Sequence, residues 1–267
     1  MKAQVIFTGA ALVGLWLVIW SRPMVQRLAV DNSWPLLIGL LLAFWLGRPW
    51  RLRLDAKAPA SVLVVCGVLL FALGLLSEIL LLAASGWTLL LFLWVQTSWE
   101  GPMDLKAWSM LSFFSFPWIA TDLSSLGWHF RLSGAWAAES LFTGLGFSIR
   151  REGTLLDVQG LPVAIEPACA GMNLLPVLLL TGAAVGLVFL GGQVRFWLFI
   201  VLLFPLAWLA NTIRICVITA VALTWGSQFA SGFFHTWGAL LVLGIMFATC
   251  VGLARLIQPL VNERPLA

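Results

Sequence analysis

Phe196-Trp-Leu-Phe-Ile-Val-Leu-Leu-Phe-Pro-Leu-Ala-Trp-Leu-Ala-Asn-Thr-Ile-Arg-Ile-Cys-Val-Ile-Thr-Ala-Val-Ala222 is the stretch that decides the fold. It is apolar for longer than the roughly 20 residues a helix needs to cross a bilayer. Its single charge is Arg214, with Asn211 on the same helical face three residues earlier. A charge inside such a span is costly, and its presence is by default a pointer to function. Pro205, one to two turns below Asn211, predicts a kink that leans this helix end inward.

The rest of the chain matches this stretch. Of 267 residues, 61% are hydrophobic and 10% charged, with a mean hydropathy of +1.02. Soluble domains carry about 25% charged residues. The expectation is an all-α polytopic membrane protein, one integral-membrane domain over residues 1–267, because no polar linker divides it. Sixteen Trp and no Tyr leave Trp alone to supply any interfacial aromatic belt. The net charge of +4 is spread through short loops and forms no nucleic-acid stripe. Residues 3–20 read as an uncleaved first span, since Ser21-Arg22-Pro23 offers no small-x-small cleavage site. Cys66, Cys169, Cys216 and Cys250 show no paired spacing, and His129 and His235 share no ligand spacing with them. No disulfide framework, metal site or cofactor is therefore expected.

Hydropathy predicts eight transmembrane helices, at about 4–20, 34–47, 59–84, 86–99, 107–120, 171–190, 196–222 and 236–257. Arg48, Arg51, Arg53 and Lys57 make the densest basic cluster, which the positive-inside rule places in the cytoplasm together with the N-terminus. By count, 191–195 is then cytoplasmic and both 121–170 and 223–235 lie outside. The Glu100–Asp104 loop is cytoplasmic by parity alone. Within 121–170, residues 147–166 carry β-branched side chains with Glu-Gly and Gln-Gly turn signals. They predict a short extracytoplasmic β-ribbon before the sixth span. Ala135–Gly146 reads as an interfacial helix or a short re-entrant segment.

Three reactive residues fall on one leaflet in this count. Cys169, in Glu166-Pro-Ala-Cys-Ala-Gly-Met-Asn173, stands at the outer mouth of the sixth span. There a helix N-terminus favours the thiolate. Cys66, Cys216 and Cys250 read instead as buried structural thiols. Arg214 lies ~28 Å of helix beyond Arg195, near the outer boundary. A snorkelling arginine is the plain alternative; a guanidinium that stabilises a thiolate and then an oxyanion is the chemical one. His235 opens the eighth span and is placed to serve as base and acid to Cys169. His129 is the competing base, ranked second because it falls in a loop without a helix to hold it. Glu166 reads first as an ordinary ribbon-end carboxylate, and second as a group that orients His235 or holds a substrate amine. Asn173 either hydrogen-bonds within the site or caps the helix.

Cys169-Ala-Gly171, Asn211-Thr-Ile-Arg214 and His235, in that order at the ends of late membrane helices, resemble the exosortase/archaeosortase family over about 136–257. Many members have Ser where this chain has Ala170, so no role falls on that side chain. The resemblance implies a membrane-embedded Cys-Arg-His peptidase or transpeptidase with Asn211, Asn173 and Glu166 in support. Implied partners are secreted proteins with a C-terminal sorting tail: a Pro-Glu-Pro-type signature, one transmembrane helix and a basic cluster. Membrane lipid is a further partner and nucleic acid is not. The implied location is the bacterial inner membrane with the site facing out, in systems associated with exopolysaccharide.

Other functions are weighed against this one. A transporter needs a polar path, and the predicted interior is blank apart from Glu78. A lipid- or sugar-transferring enzyme needs carboxylates or His-Asp pairs facing a metal or phosphate, which the spans do not supply. A non-catalytic scaffold subunit predicts that changing Cys169 is harmless.

Overall fold

A computed structural model describes residues 2–28, 34–53, 59–101, 103–164, 174–192, 194–226 and 233–258. The first half comprises α1 (Lys2–Trp20), α2 (Pro23–Leu28), α3 (Trp34–Leu46), β1 (Arg51–Leu52), α4 (Ser61–Leu76), α5 (Leu80–Ser98) and β2 (Trp99–Glu100). It continues through α6 (Leu105–Phe114), α7 (Trp118–Asp122) and α8 (Ser124–Gly144). Strands β3 (Ile149–Glu152), β4 (Leu155–Val158) and β5 (Leu161–Ala164) follow, then α9 (Leu174–Leu190), α10 (Val194–Trp225) and α11 (Phe233–Ile257).

The apolar runs pack as antiparallel neighbours. α4 and α5 form a hairpin whose backbones meet at glycines: a Cβ on Gly86 would collide with Phe71 N and Gly67 O, and one on Gly74 with Ala83 N. Small residues at such spacings let membrane helices approach closely. Indole N–H groups tie other helices together. Trp87 donates to Leu12 O at 2.8 Å and Trp94 to Val5 O at 3.2 Å, joining α5 to α1. Trp108 donates to Ala43 O at 2.6 Å, joining α6 to α3. In an apolar interior a polar N–H must find such a partner or carry a desolvation cost.

The loops sort onto two ends. Arg51 pairs with Glu100 and Leu52 with Trp99 across β1–β2, so the basic segment and the acidic loop share one end. Asp104 caps α6 through Lys106 N and Ala107 N, and its side chain lies against Gly192. The α9–α10 turn therefore stands at this basic end as well. Arg255 lies over the Phe189 ring at 5.6 Å, so α9 and α11 run parallel and both finish there. At the opposite end Leu81 N donates to an Asp122 carboxylate oxygen, which caps α5.

Several expectations on spans are corrected. The third and fourth divide at Ser77–Ile79, not near residue 85, and Glu78 is an exposed turn residue at φ +58°, not an intramembrane charge. The 107–120 span is broken: α6 stops at Phe114 and α7 starts after Pro117, as a proline that disfavours helix before it would dictate. Residues 124–144 form one helix, neither a loop nor a short re-entrant piece. Cys66 is exposed, not buried. Among the described residues, α5 and α10 are long and apolar enough to cross a membrane. Shorter apolar helices run over Gln4–Trp20, Leu36–Leu46, Ser61–Leu76, Leu175–Leu190 and Leu241–Ile257.

Strands β3–β5 form an antiparallel meander within the stretch read as ribbon. Its second turn, Gln159-Gly160, has φ of +55° and +83°, the signature of a tight primed turn, and Asp157 Oδ1 accepts from Gly160 N at 2.8 Å.

Candidate functional site

α10 is the element that positions the site. Its 32 residues make a rod of ~48 Å, well beyond the ~30 Å of a hydrocarbon core. The two ends of this rod belong to different cores. Phe196, Phe199, Ile200, Leu203, Ala207 and Ala210 pack into the helical bundle. Ile215 packs into a second cluster with Ala135, Ala138 and Phe142 of α8 and Leu156 and Val158 of β4. The polar residues sit at the handover: Asn211 is 1% exposed, Thr212 8% and Arg214 5%.

α8 closes this junction from the side. Trp208 Nε1 donates to Ser133 Oγ at 2.8 Å, and Thr212 Oγ1 donates to Trp208 O at 2.9 Å. Gly134 follows, and a Cβ there would lie 2.8 Å from Ile215 Cδ1 and 3.9 Å from Asn211 Nδ2. Among the described residues neither amide atom of Asn211 has a hydrogen-bond partner. An amide buried this completely is normally satisfied, and leaving it open carries a desolvation cost of about 1–3 kcal/mol. Beside it an open cleft of ≈590 Å³ is lined by His129, Phe130, Leu132, Ser133, Trp136, Arg151 and Trp208. Arg151 Nε donates to Glu139 Oε2 at 2.7 Å, which pins the meander to α8.

The expected site residues are placed as follows. Glu166, Cys169 and Asn173 lie outside the described residues, as does the His235 side chain. α9, whose first residue Leu174 closely follows Cys169 in sequence, begins at the end opposite the basic loops. The backbone of His235 is in the first turn of α11, ~30 Å of helix from Arg255 at the basic end. Arg214 is ~28 Å above Arg195 by the same rise. The head of α9, the Asn211–Arg214 turn and the head of α11 thus share one end of three mutually packed helices. His129 is on α8, exposed and lining the cleft, which removes the ground for ranking it behind His235.

Sequence reading passed over Ser133, Gly134 and Thr212. Only the small run Ser133-Gly134-Ala135 could have signalled a close helix crossing. Among the described residues no group of three or more His, Cys, Asp or Glu is arranged to hold a metal ion.

Comparison with curated proteins and with solved structures yields no match. The family description "transmembrane exosortase" fits residues 5–252, from the first helix into the last, and the chain belongs to that family.

Proposed function

We propose that this exosortase-family membrane protein is a cysteine peptidase or transpeptidase that cuts the C-terminal sorting tail from secreted proteins at the outer face of the cytoplasmic membrane. The observation that carries the reading is the buried Asn211–Arg214 turn at the boundary of two cores, at the end where α9 and α11 begin. A guanidinium buried there carries a desolvation cost, and a charge at such a depth is by default a pointer to function.

The chemistry follows from the residue types. Cys169 gives its proton to His235, and the thiolate attacks the carbonyl carbon of a peptide bond just outside the bilayer. Arg214 and nearby N–H groups hold the oxyanion. The tetrahedral intermediate collapses to a thioester as the C–N bond breaks, and His235 returns the proton to the departing amine. Water or an amine or hydroxyl acceptor then releases the new C-terminus and frees the thiol. The tail's own helix, docked in the membrane, supplies the orientation a dilute encounter would lack. The preferred substrate signature is Pro-Glu-Pro-like, followed by one apolar helix and a basic cluster.

The test is processing of a tailed reporter in cells, read as its mobility shift. Cys169→Ala should abolish it with the protein still inserted; processing that survives in that variant ends the reading. A second assignment of the base is favoured by one observation, the exposed His129 in the cleft beside Trp208. Loss of processing in His129→Gln with His235→Gln still active would transfer the role to His129.

A further inference from the structure

At the end opposite the basic loops, on the α1–α4–α5 side of the bundle, a pocket of ≈270 Å³ is lined by Ile19, Arg22, Pro23, Val25, Gly74, Leu75, Glu78, Leu80 and Ala83. Its floor is apolar and closed: Ile19 and Val25 are 0% exposed and Ala83 is 1%. Its rim carries one cation and one anion. Among the described residues neither Arg22 nor Glu78 forms an ion pair, with the other or with anything else. Two opposite charges left apart on one pocket rim fit a ligand that carries both signs.

Glu78 adds an independent observation. It holds φ +58° in the α4–α5 turn, a left-handed conformation that a glycine would adopt without strain. Gln159 in the meander shares that conformation, so what singles out Glu78 is the strained position together with its place on the pocket rim. Around the pocket the helix surfaces are apolar and exposed: Val13, Leu17 and Val18 on α1, and Leu69, Leu73 and Leu76 on α4. Such surfaces on a membrane protein meet acyl chains.

We propose that this pocket binds the headgroup of a zwitterionic phospholipid with a primary ammonium, of the phosphatidylethanolamine class. Arg22 presents its guanidinium fork to the phosphate, as arginine does for planar bidentate recognition. Glu78 accepts hydrogen bonds from the ammonium. The exposed faces of α1 and α4 take the acyl chains. A choline headgroup keeps the charge and offers no N–H, and a glycerol headgroup lacks the cation, so both should be held more weakly.

The test uses the full chain in nanodiscs of mixed phosphatidylethanolamine, phosphatidylcholine and phosphatidylglycerol, with co-purifying lipid counted by native mass spectrometry. Wild type should retain phosphatidylethanolamine at least fivefold over the other two, and soluble phosphoethanolamine at millimolar concentration should not displace it. Arg22→Gln and Glu78→Gln should each erase the preference. Glu78→Gly separates binding from folding, because it should unfold no earlier than wild type in detergent yet lose the preference equally. Equal retention of the three lipids by wild type, displacement by the soluble headgroup, or an intact preference in both Glu78 variants would overturn the assignment. The readout does not involve peptide cleavage and applies unchanged to the Cys169→Ala protein, so its failure leaves the peptidase reading where it stood.

Discussion

The α1–α3–α4–α5–α6 half of the bundle and the α8–α10 junction handle buried polar groups differently. In the first, Trp87, Trp94 and Trp108 each donate an indole N–H to a carbonyl of the neighbouring helix, and glycines bring backbones into contact. Among the described residues unpartnered polar atoms occur there too, at the indole N–H groups of Trp16, Trp20 and Trp99 and the hydroxyls of Thr88 and Ser112, one atom to each side chain. At the junction a whole amide, Asn211, is enclosed with both its atoms open among the described residues, one turn from a buried arginine. The bundle leaves open single atoms on side chains that otherwise pack, whereas at the junction Asn211 leaves both a donor and an acceptor open among the described residues. Open capacity of both kinds is what a substrate-binding or reacting site needs and a structural contact does not.

The comparison can be broken by substitution. The largest effect is expected at Arg214. Arg214→Lys keeps the charge and loses the planar fork, so reporter processing should fall by ~10²–10³-fold, the range seen when an oxyanion donor is removed. Near-normal processing, in membranes where the protein is present at wild-type level, would make the junction structural. Next comes Gly86→Leu, whose side chain has no space against Phe71 N and Gly67 O. Folded protein recovered in detergent should drop below detection by size-exclusion chromatography, and normal recovery would refute the close α4–α5 crossing.

Asn211→Leu is the sharpest discriminator because its two readouts should move in opposite directions. Removing an open buried amide should stabilise the fold by about 1–3 kcal/mol, seen as a higher Tm, while processing falls. A lower Tm would show that the amide is satisfied in the working protein. The smallest effect belongs to the Glu139–Arg151 pair, whose side chains are 30% and 25% exposed. With screening by solvent, Glu139→Gln should cost no more than ~1 kcal/mol, measured as a shift in urea midpoint. A larger loss would mean that the meander depends on this one contact.

Much of this architecture was legible in the sequence, for physical reasons that also mark where legibility ended. The 196–222 run is a membrane helix because nothing else can satisfy that much apolar backbone, and α10 contains it whole. Gly153 and Gly160 marked turns because each occupies a positive φ that other residues avoid. The break at Ser77–Ile79 was hidden, since apolar residues continue on both sides and Glu78 takes the conformation usually given to glycine. The first half of α8 was also hidden: the polar and aromatic residues around His129 read as loop, and only Ala135–Gly146 offered a helix as one of two readings, until α10 and the meander supply the surface they pack on. The motif residues pointed to the second half of the chain, while the family match reaches back to residue 5. Helices that contribute only packing leave no motif to read. Asn211 and Arg214 stood out as polar residues in an apolar helix, but their burial between two cores needed the fold.

The length of α10 has a mechanical consequence. One continuous helix, with Pro205 inside it, joins the bundle, whose height must match the lipid, to the cluster that carries α8 and the meander. A thicker or thinner bilayer is accommodated by tilting helices, at a modest cost per ångström. Any tilt of the rod is passed to everything mounted on its far end, with the Arg214 turn near the fulcrum. The height of the Arg214 turn and of the meander relative to the bilayer should therefore track acyl-chain length, as the reading of a calliper tracks the thickness between its jaws.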